Sequence, residues 1–412
     1  MKKRFLAIFL LYLLLFSPAI ASQDDINEEI KPEETSQEEV DLEMIQAVTV
    51  STEEDDIPVI TDLEPIEIHE KTLQEKLQDI YHLEVSQIDK PTYLMREIFT
   101  HKFDESSAWD NLHFGVGYNA DMDFVFEDNN SFSSEYRFNV IAPLVEGNLK
   151  NDKADFRIMT RFSPRSSINA LQYLFGDVYI GTNAIPNHRI QVGHFRPYAG
   201  VEGHLSPYTL PFLNRSQISR IFGNARKLGA SISGNYDLIE YNLGGYSSDT
   251  FFQEFFPGSE FVGWANLKPL GKTSGKYGML KLGGGLQSGH RNNNYTVTGA
   301  YVSYDYKKFM ANFEYANANG YNGFQLHSTD KKATGFYTTL AYCVTPKIQV
   351  LARYDEFDPD KNVSNNTNRE YSLGLNYYLK GQGLKLIFNY VFCQNEIKND
   401  SHRLMLGTQI VL

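Results

Sequence analysis

Two nine-residue stretches near the C-terminus alternate without a break. In Tyr371–Leu379 the odd positions are Tyr371, Leu373, Leu375, Tyr377 and Leu379, separated by Ser372, Gly374, Asn376 and Tyr378. In Leu384–Phe392 the even positions are Leu384, Leu386, Phe388, Tyr390 and Phe392, separated by Lys385, Ile387, Asn389 and Val391. Such period-two amphipathicity over about nine residues is what a tilted strand needs to cross a bilayer. Lys380-Gly381-Gln382-Gly383 joins the two stretches, and glycine supplies the positive φ of a tight turn. One hairpin of this kind suits a soluble sandwich as well as a membrane barrel. What decides between them is how often the pattern returns.

It returns sixteen times, in Leu112–Ala120, Ser134–Ala142, Ala154–Phe162, Leu171–Gly181, His188–Arg196, Arg226–Tyr236, Leu238–Ser248, Glu260–Leu267, Tyr277–Gln287, Tyr295–Tyr306, Phe309–Ala316, Ala333–Val344, Lys347–Asp355, Tyr371–Leu379, Leu384–Phe392 and Arg403–Leu412. Short joins at Asp237, Lys307-Lys308, Thr345-Pro346 and Lys380–Gly383 alternate with long ones at Asp121–Ser133, Pro197–Ala225, Asn317–Lys332, Glu356–Glu370 and Cys393–His402. Short periplasmic turns alternating with long outer loops mark an outer-membrane barrel. The expected fold is all-β, a sixteen-stranded transmembrane antiparallel barrel over residues 101–412.

The rest of the chain reads as delivery and linkage. Lys2, Lys3 and Arg4 precede an apolar run from Phe5 to Phe16, and Ala19-Ile20-Ala21 is an A-x-A cleavage site, so residues 1–21 read as a signal peptide. The apolar run is too short to span a bilayer as a helix. Residues 22–64 hold sixteen acids against one base, Lys31. With so little apolar surface to bury, 22–65 is expected to be a disordered acidic arm. Within 66–100, Leu73, Leu77, Ile80 and Leu83 share one face of an expected short amphipathic helix. The formal charge of −13 therefore belongs to the arm, because residues 101–412 carry 28 acids and 30 bases. Cys343 and Cys393 fall three expected strands apart, at about 4.8 Å per strand, which is beyond disulfide reach.

Three stretches carry a family resemblance. Leu351-Ala352-Arg353-Tyr354-Asp355-Glu356-Phe357-Asp358-Pro359-Asp360 is one. Leu373-Gly374-Leu375-Asn376-Tyr377-Tyr378, followed by Gly383–Leu386 and Asn389-Tyr390, is the second. Val192-Gly193-His194-Phe195-Arg196-Pro197, with Glu202 and Asn214-Arg215-Ser216, is the third. Together they resemble the phosphate-selective porin O/P family over about residues 100–412. That resemblance implies a sixteen-stranded barrel in the cell outer membrane, a homotrimer, a third loop folded into the lumen, and anions guided by Arg and Lys.

The candidate site is basic. Within 131–230 bases outnumber acids twelve to six. If Tyr136, Phe138, Val140, Phe156, Ile158, Thr160, Phe162, Ile190 and Val192 face lipid, the alternation turns Arg137, Arg157, Arg161 and Arg189 into the lumen. The outward alternative costs about 2–4 kcal/mol per charge at the midplane. A second set, Arg215, Arg220, Arg226 and Lys227, lies in or just after Pro197–Ala225, the third odd-to-even join, where the resemblance places the constriction. Arg215 and Arg220 are expected to face Arg157 and Arg161 across it. Guanidinium forks suit oxyanions, and basic rings suit anion filters. The same charges, paired with Glu135 and Asp155, read equally as bonds holding the wall.

Enzymatic readings find little support. His188, His194 and His204 lack zinc-ligand spacing, and there is no G-x-S-x-G or P-loop. Asp358, Asp360 and Asn362 match a calcium loop only in part. The expectation is a porin rather than an enzyme, without cofactor or metal. Its partners would be small anionic solutes such as phosphate and outer-membrane lipids, with no nucleic acid. A general porin, a closed barrel serving as anchor or adhesin, and an outer-membrane hydrolase are the alternatives.

Overall fold

The computed structural model describes residues 96–128, 131–150, 153–162, 174–249, 254–323 and 328–412, with the backbone alone at 137–139. The signal peptide, the acidic arm and the helix expected at Ile66–Glu84 lie outside these residues. The described strands are β1 Thr100–Lys102, β2 Trp109–Glu127, β3 Phe132–Leu149, β4 Ala154–Thr160, β5 Phe175–Thr182, β6 His188–Phe195, β7 Lys227–Asn235, β8 Ile239–Ser247, β9 Ser259–Leu267, β10 Met279–Arg291, β11 Asn293–Tyr306, β12 Phe309–Asn322, β13 Ser328–Thr345, β14 Ile348–Asp358, β15 Asn368–Tyr378, β16 Leu384–Asn395 and β17 Ser401–Val411.

From β2 to β17 each strand pairs antiparallel with the next, and β17 returns to β2 through Ser401↔Glu127 to Val411↔Gly117. That closes sixteen strands into a barrel, and each expected strand has its counterpart. Closure matters because lipid offers no partner to an unpaired strand edge. Where β17 ends, Leu412 exchanges backbone hydrogen bonds with Val116 at 2.9 and 3.1 Å. Below that point β1 takes over the β2 edge at Asn111–His113, so the seam is bonded to its end.

The outward face shows why these residues make these strands. Phe313, Phe336, Tyr354, Tyr371, Phe392 and His402 form a run of ring contacts, with centroids 4.9–6.0 Å apart, along the outside of β12–β17. Such an aromatic belt sits at the membrane interface. Immediately beyond it the outward residues become charged: Arg369 bridges Glu356 and Glu396, both at 3.0 Å. Between this belt and the short-turn end the outward residues are Leu373, Leu375, Leu386, Phe388 and Leu406, each at least 41% exposed within the monomer.

Two differences from the sequence expectation have physical reasons. The joins expected at Asp121–Ser133 and Asn317–Lys332 are largely strand, since β2 runs to Glu127, β3 begins at Phe132, β12 runs to Asn322 and β13 begins at Ser328. The β12 and β13 extensions carry no apolar alternation that could announce a strand, whereas Met122, Phe124 and Phe126 continue the outward alternation of β2 as far as the belt. The second difference is a bulge. Asn119 pairs with Val140 and Ala120 with Phe138, which leaves one residue of β3 unpaired and reverses its parity. Val140, expected outside, packs against the buried Ala142, Leu144 and Met159.

Cys343 lies on β13 and Cys393 on β16, and neither is in a disulfide. The unfolded protein should therefore titrate two thiols without reductant, and unheated protein should run differently in gels from heated protein. A mass deficit of two hydrogens from a Cys343–Cys393 bridge would overturn this strand assignment.

Candidate functional site

The 196–226 segment between β6 and β7 lies inside the lumen, where a loop has to satisfy its own backbone. It contains a 3-10 turn, Pro207–Thr209, and a π-helical turn, Ser219–Gly223. Its remaining polar groups reach the wall. Val201 N donates to Glu314 at 2.9 Å, Leu213 N to Asn389 Oδ1 at 2.9 Å, and Gln217 N to Asp355 at 2.7 Å. In the other direction Gln409 donates to Tyr208 O at 2.7 Å, Asn376 to Pro211 O at 2.8 Å and Lys385 to Leu210 O at 3.0 Å. Glu202 accepts Ser216 N at 2.8 Å and pairs with Arg353 of β14, both side chains being buried.

Apolar contacts fix the same course. Phe212 packs among Met310, Ala341, Cys343, Leu351 and Tyr378 on the inner wall. Ile218 and Phe222 pack with Val297, Ala316, Ala318, Ala333, Tyr337 and Phe357. Each such burial is worth about 1.5–3 kcal/mol. Gly200 has φ 63° and its hydrogen faces the Glu314 carboxylate, so a side chain there meets both a strained backbone and the wall.

The loop divides the lumen unequally. On the wall it covers, Lys385 and Asn376 are 0% exposed and Gln409 is 1% exposed. On the opposite wall the inward side chains of Arg157, Arg189 and Lys281 are 27%, 29% and 32% exposed. The loop also packs on β8, β9 and β11 through Tyr198 and Val201, so the partly exposed inward charges on the wall include Arg157 of β4, Arg189 of β6 and Lys281 of β10.

Of the eight basic residues singled out from sequence, seven fall into distinct surroundings, and the eighth, Arg161, is among the charges acting on Arg196. Arg157 pairs with Glu146 at 2.6 Å, and Arg189 with both oxygens of Asp155 at 2.7 and 2.8 Å, so these lumen-facing charges are largely compensated. Arg220 is drawn to Glu370 on β15 at 2.7 Å and therefore does not stand with Arg215 opposite Arg157. Arg226 pairs with Asp177 at 2.7 Å, and Lys227 with Glu260, which Tyr295 also reaches. Arg137 is in register with Asp121 across β2 and β3. Arg215 donates to Leu205 O, and its Nε is buried without a hydrogen-bond partner.

Sequence reading left one member out. Arg196, at the start of the loop, feels the positive charges of Arg226, Arg215 and Arg161 against Asp177 alone among the acids acting on it most strongly. Burial first, and those three guanidiniums second, push it well below its ordinary pKa. Burial likewise brings Arg215 down to about 10. Arginine does not release its proton at neutral pH, so the cost falls on the site itself and a bound anion would offset it. The Nε of Arg196 is also buried without a partner, although the side chain as a whole keeps partial exposure. The signal that could have found it was its place in the Val192–Pro197 segment.

The histidines do not form one site. His194 bonds Gly176 O at 2.8 Å, His188 bonds Pro186 O at 2.9 Å, and His204 stacks on Tyr198 at 3.9 Å. Among the described residues no three His, Cys, Asp or Glu side chains stand close enough to hold a metal ion.

Two outcomes test the loop's anchoring. Glu202→Gln leaves Arg353 buried and uncompensated, a loss of about 3–5 kcal/mol that should free the loop for proteolysis while the barrel keeps its gel mobility. Equal protease resistance in wild type and variant would refute the pair as an anchor. The second outcome concerns His204, which burial pushes from 6.5 down to about 4. Its folded value lies below the unfolded one, so its contribution is complete above 6.5 and is lost as pH falls toward 4. Loop proteolysis should therefore rise over that window and rise less in His204→Phe, and an unchanged acid response in that variant would exclude His204.

Comparison with known proteins adds a family match over part of the chain. The family model described as phosphate-selective porin O and P matches residues 278–411, which covers β10–β17. No curated protein sequence matches the chain. Among solved structures, an anion-selective porin from Comamonas acidovorans superposes with TM-score 0.53 at 10% identity, covering 73% of this chain and 99% of that one. A loop L8 deletion mutant of OmpT, an outer membrane protein of Vibrio cholerae, superposes with TM-score 0.52 at 11% identity, covering 74% and 100%. At such identities the superpositions speak for the fold. With a closed sixteen-stranded barrel and a match to the phosphate-selective porin O and P family over its eight C-terminal strands, the chain has the architecture of an outer-membrane channel.

Proposed function

We propose that this channel passes small anions, phosphate among them, and that Arg161, Arg196, Arg215 and Arg226 at the root of the lumenal loop set the preference. The observation that carries this reading is the local surplus of guanidinium around Arg196, with unpartnered Nε donors on Arg196 and Arg215. Fixed positive charge in a constricted, low-dielectric lumen lowers the barrier for anions and raises it for cations. Arg161 and Arg196 keep partial exposure, so a solute on the open side of the loop reaches the cluster through them. Arg157 and Arg189 line the open wall, where their carboxylate partners moderate attraction and let the ion leave. Arg220 and Lys227 fasten the loop and its exit to the wall. A likeness in fold to a porin described as anion-selective is consistent with this reading.

A second reading, passage without charge preference, is favoured by the number of wall arginines that are ion-paired. Reversal potential across a salt gradient separates the two. The Arg196→Gln, Arg215→Gln double variant should move the reversal potential toward cations with little change in open conductance. Wild-type protein that shows no anion preference, or a double variant identical to wild type, would favour the general porin. The family resemblance also supports a homotrimer, which the mass of unheated protein in mild detergent tests.

A further inference from the structure

We propose that the outer wall at the short-turn end of β10–β12 is a binding site for an anionic phospholipid of the periplasm-facing leaflet, with Lys276 and Lys307 holding the headgroup phosphate. The site is independent of the lumen and of any ion preference there. Its parts are on the outside of the barrel. Strand parity turns Tyr304 and Tyr306 outward, with their rings 6.3 Å apart. The Lys307 ammonium lies 5.0 Å from the centre of the Tyr306 ring, and that of Lys276 lies 5.3 Å from the Tyr277 ring.

The turn that carries Lys276 is built rather than loose. Thr273 O accepts Lys276 N at 3.0 Å, Gly275 O accepts Gly278 N at 3.0 Å, and Tyr304 Oη donates to Tyr277 O at 2.9 Å. Ser274, Gly275 and Gly278 take φ of 49°, 77° and 81°, and Lys307 takes 54°, conformations that shape the tight turns carrying both lysines. Tyrosine at this height marks the lipid–water interface, where a phosphate sits within reach of a snorkelling ammonium.

Charge complementarity names the occupant. The turns at 268–278, 307–308, 346–347 and 379–383 each contain lysine and no Asp or Glu. The β7–β8 turn, by contrast, carries Asp237. Above the lysines the wall offers Leu282 and Val302, 39% and 43% exposed, with Phe309 beside Tyr306, and the next outward pair, Gly284 and Ala300, carries no bulky side chain. A phosphate over the two ammoniums with its acyl chains on that surface satisfies both halves of the site. A zwitterionic headgroup brings its own cation and gains less.

Native mass spectrometry of the purified, folded barrel titrated with phosphatidylglycerol or phosphatidylcholine tests the inference. Wild type should retain phosphatidylglycerol in preference to phosphatidylcholine. In Lys276→Gln, Lys307→Gln that preference should fall roughly tenfold, while Lys347→Gln, Lys380→Gln on a neighbouring part of the rim keeps it. Equal retention of the two lipids by wild type, or an undiminished preference in the first variant, would overturn the site. So would displacement of the lipid by inorganic phosphate alone, which would mark a free-anion contact. Should the first variant fail to show heat-modifiable mobility, the wild-type lipid comparison and phosphate displacement still decide.

Discussion

Every feature of this barrel descends from the absence of hydrogen-bond partners in hydrocarbon. A strand edge left open in lipid forfeits a row of amide and carbonyl bonds, so sixteen strands close on themselves and β17 meets β2. The junction shows how completely the constraint is met. When β17 runs out at Val411, Leu412 and then β1 continue the ladder along β2. The charge-free outward belt and the aromatic rings that end it are the side-chain expression of the same solvent.

The constraint reaches inside the lumen as well. The 196–226 segment runs through a space crowded with protein, and its backbone is satisfied by the amide and charged side chains of Asn376, Lys385, Asn389 and Gln409, and by Glu314 and Asp355. Those residues alternate with lipid-facing ones on the same strands. One period-two pattern therefore serves two solvents, hydrocarbon outside and a folded loop inside. Glu202–Arg353 is the most buried of the ionic contacts between loop and wall, and it joins the two segments in which the family resemblance is most evident.

Charge in the lumen is arranged by contact rather than by count. Twelve bases against six acids in 131–230 suggest a strongly positive pore, yet Arg157, Arg189, Arg220, Arg226 and Lys227 each have a carboxylate in contact. Two of those acids, Glu260 and Glu370, lie outside the counted window altogether. The surplus is concentrated where Arg196 and Arg215 meet Arg161 and Arg226.

The sequence by itself determined the number of strands, their order and their outward faces, because lipid imposes a period that each strand must display locally. The hairpin Tyr371–Phe392 is legible at single-residue level for that reason. In the extensions of β12 and β13 the outward period lapses, whereas in β2 Met122, Phe124 and Phe126 keep it as far as the belt. The bulge that turns Val140 inward depends on how β2 and β3 register, a property of neither strand alone. The loop's position in the chain was legible, but not its path, since Arg220 finding Glu370 and Gln217 finding Asp355 join residues about 140–150 positions apart. Arg196 looked like the end of a strand until the fold brought Arg161, Arg215 and Arg226 around it, because like charges gather only where tertiary packing holds them.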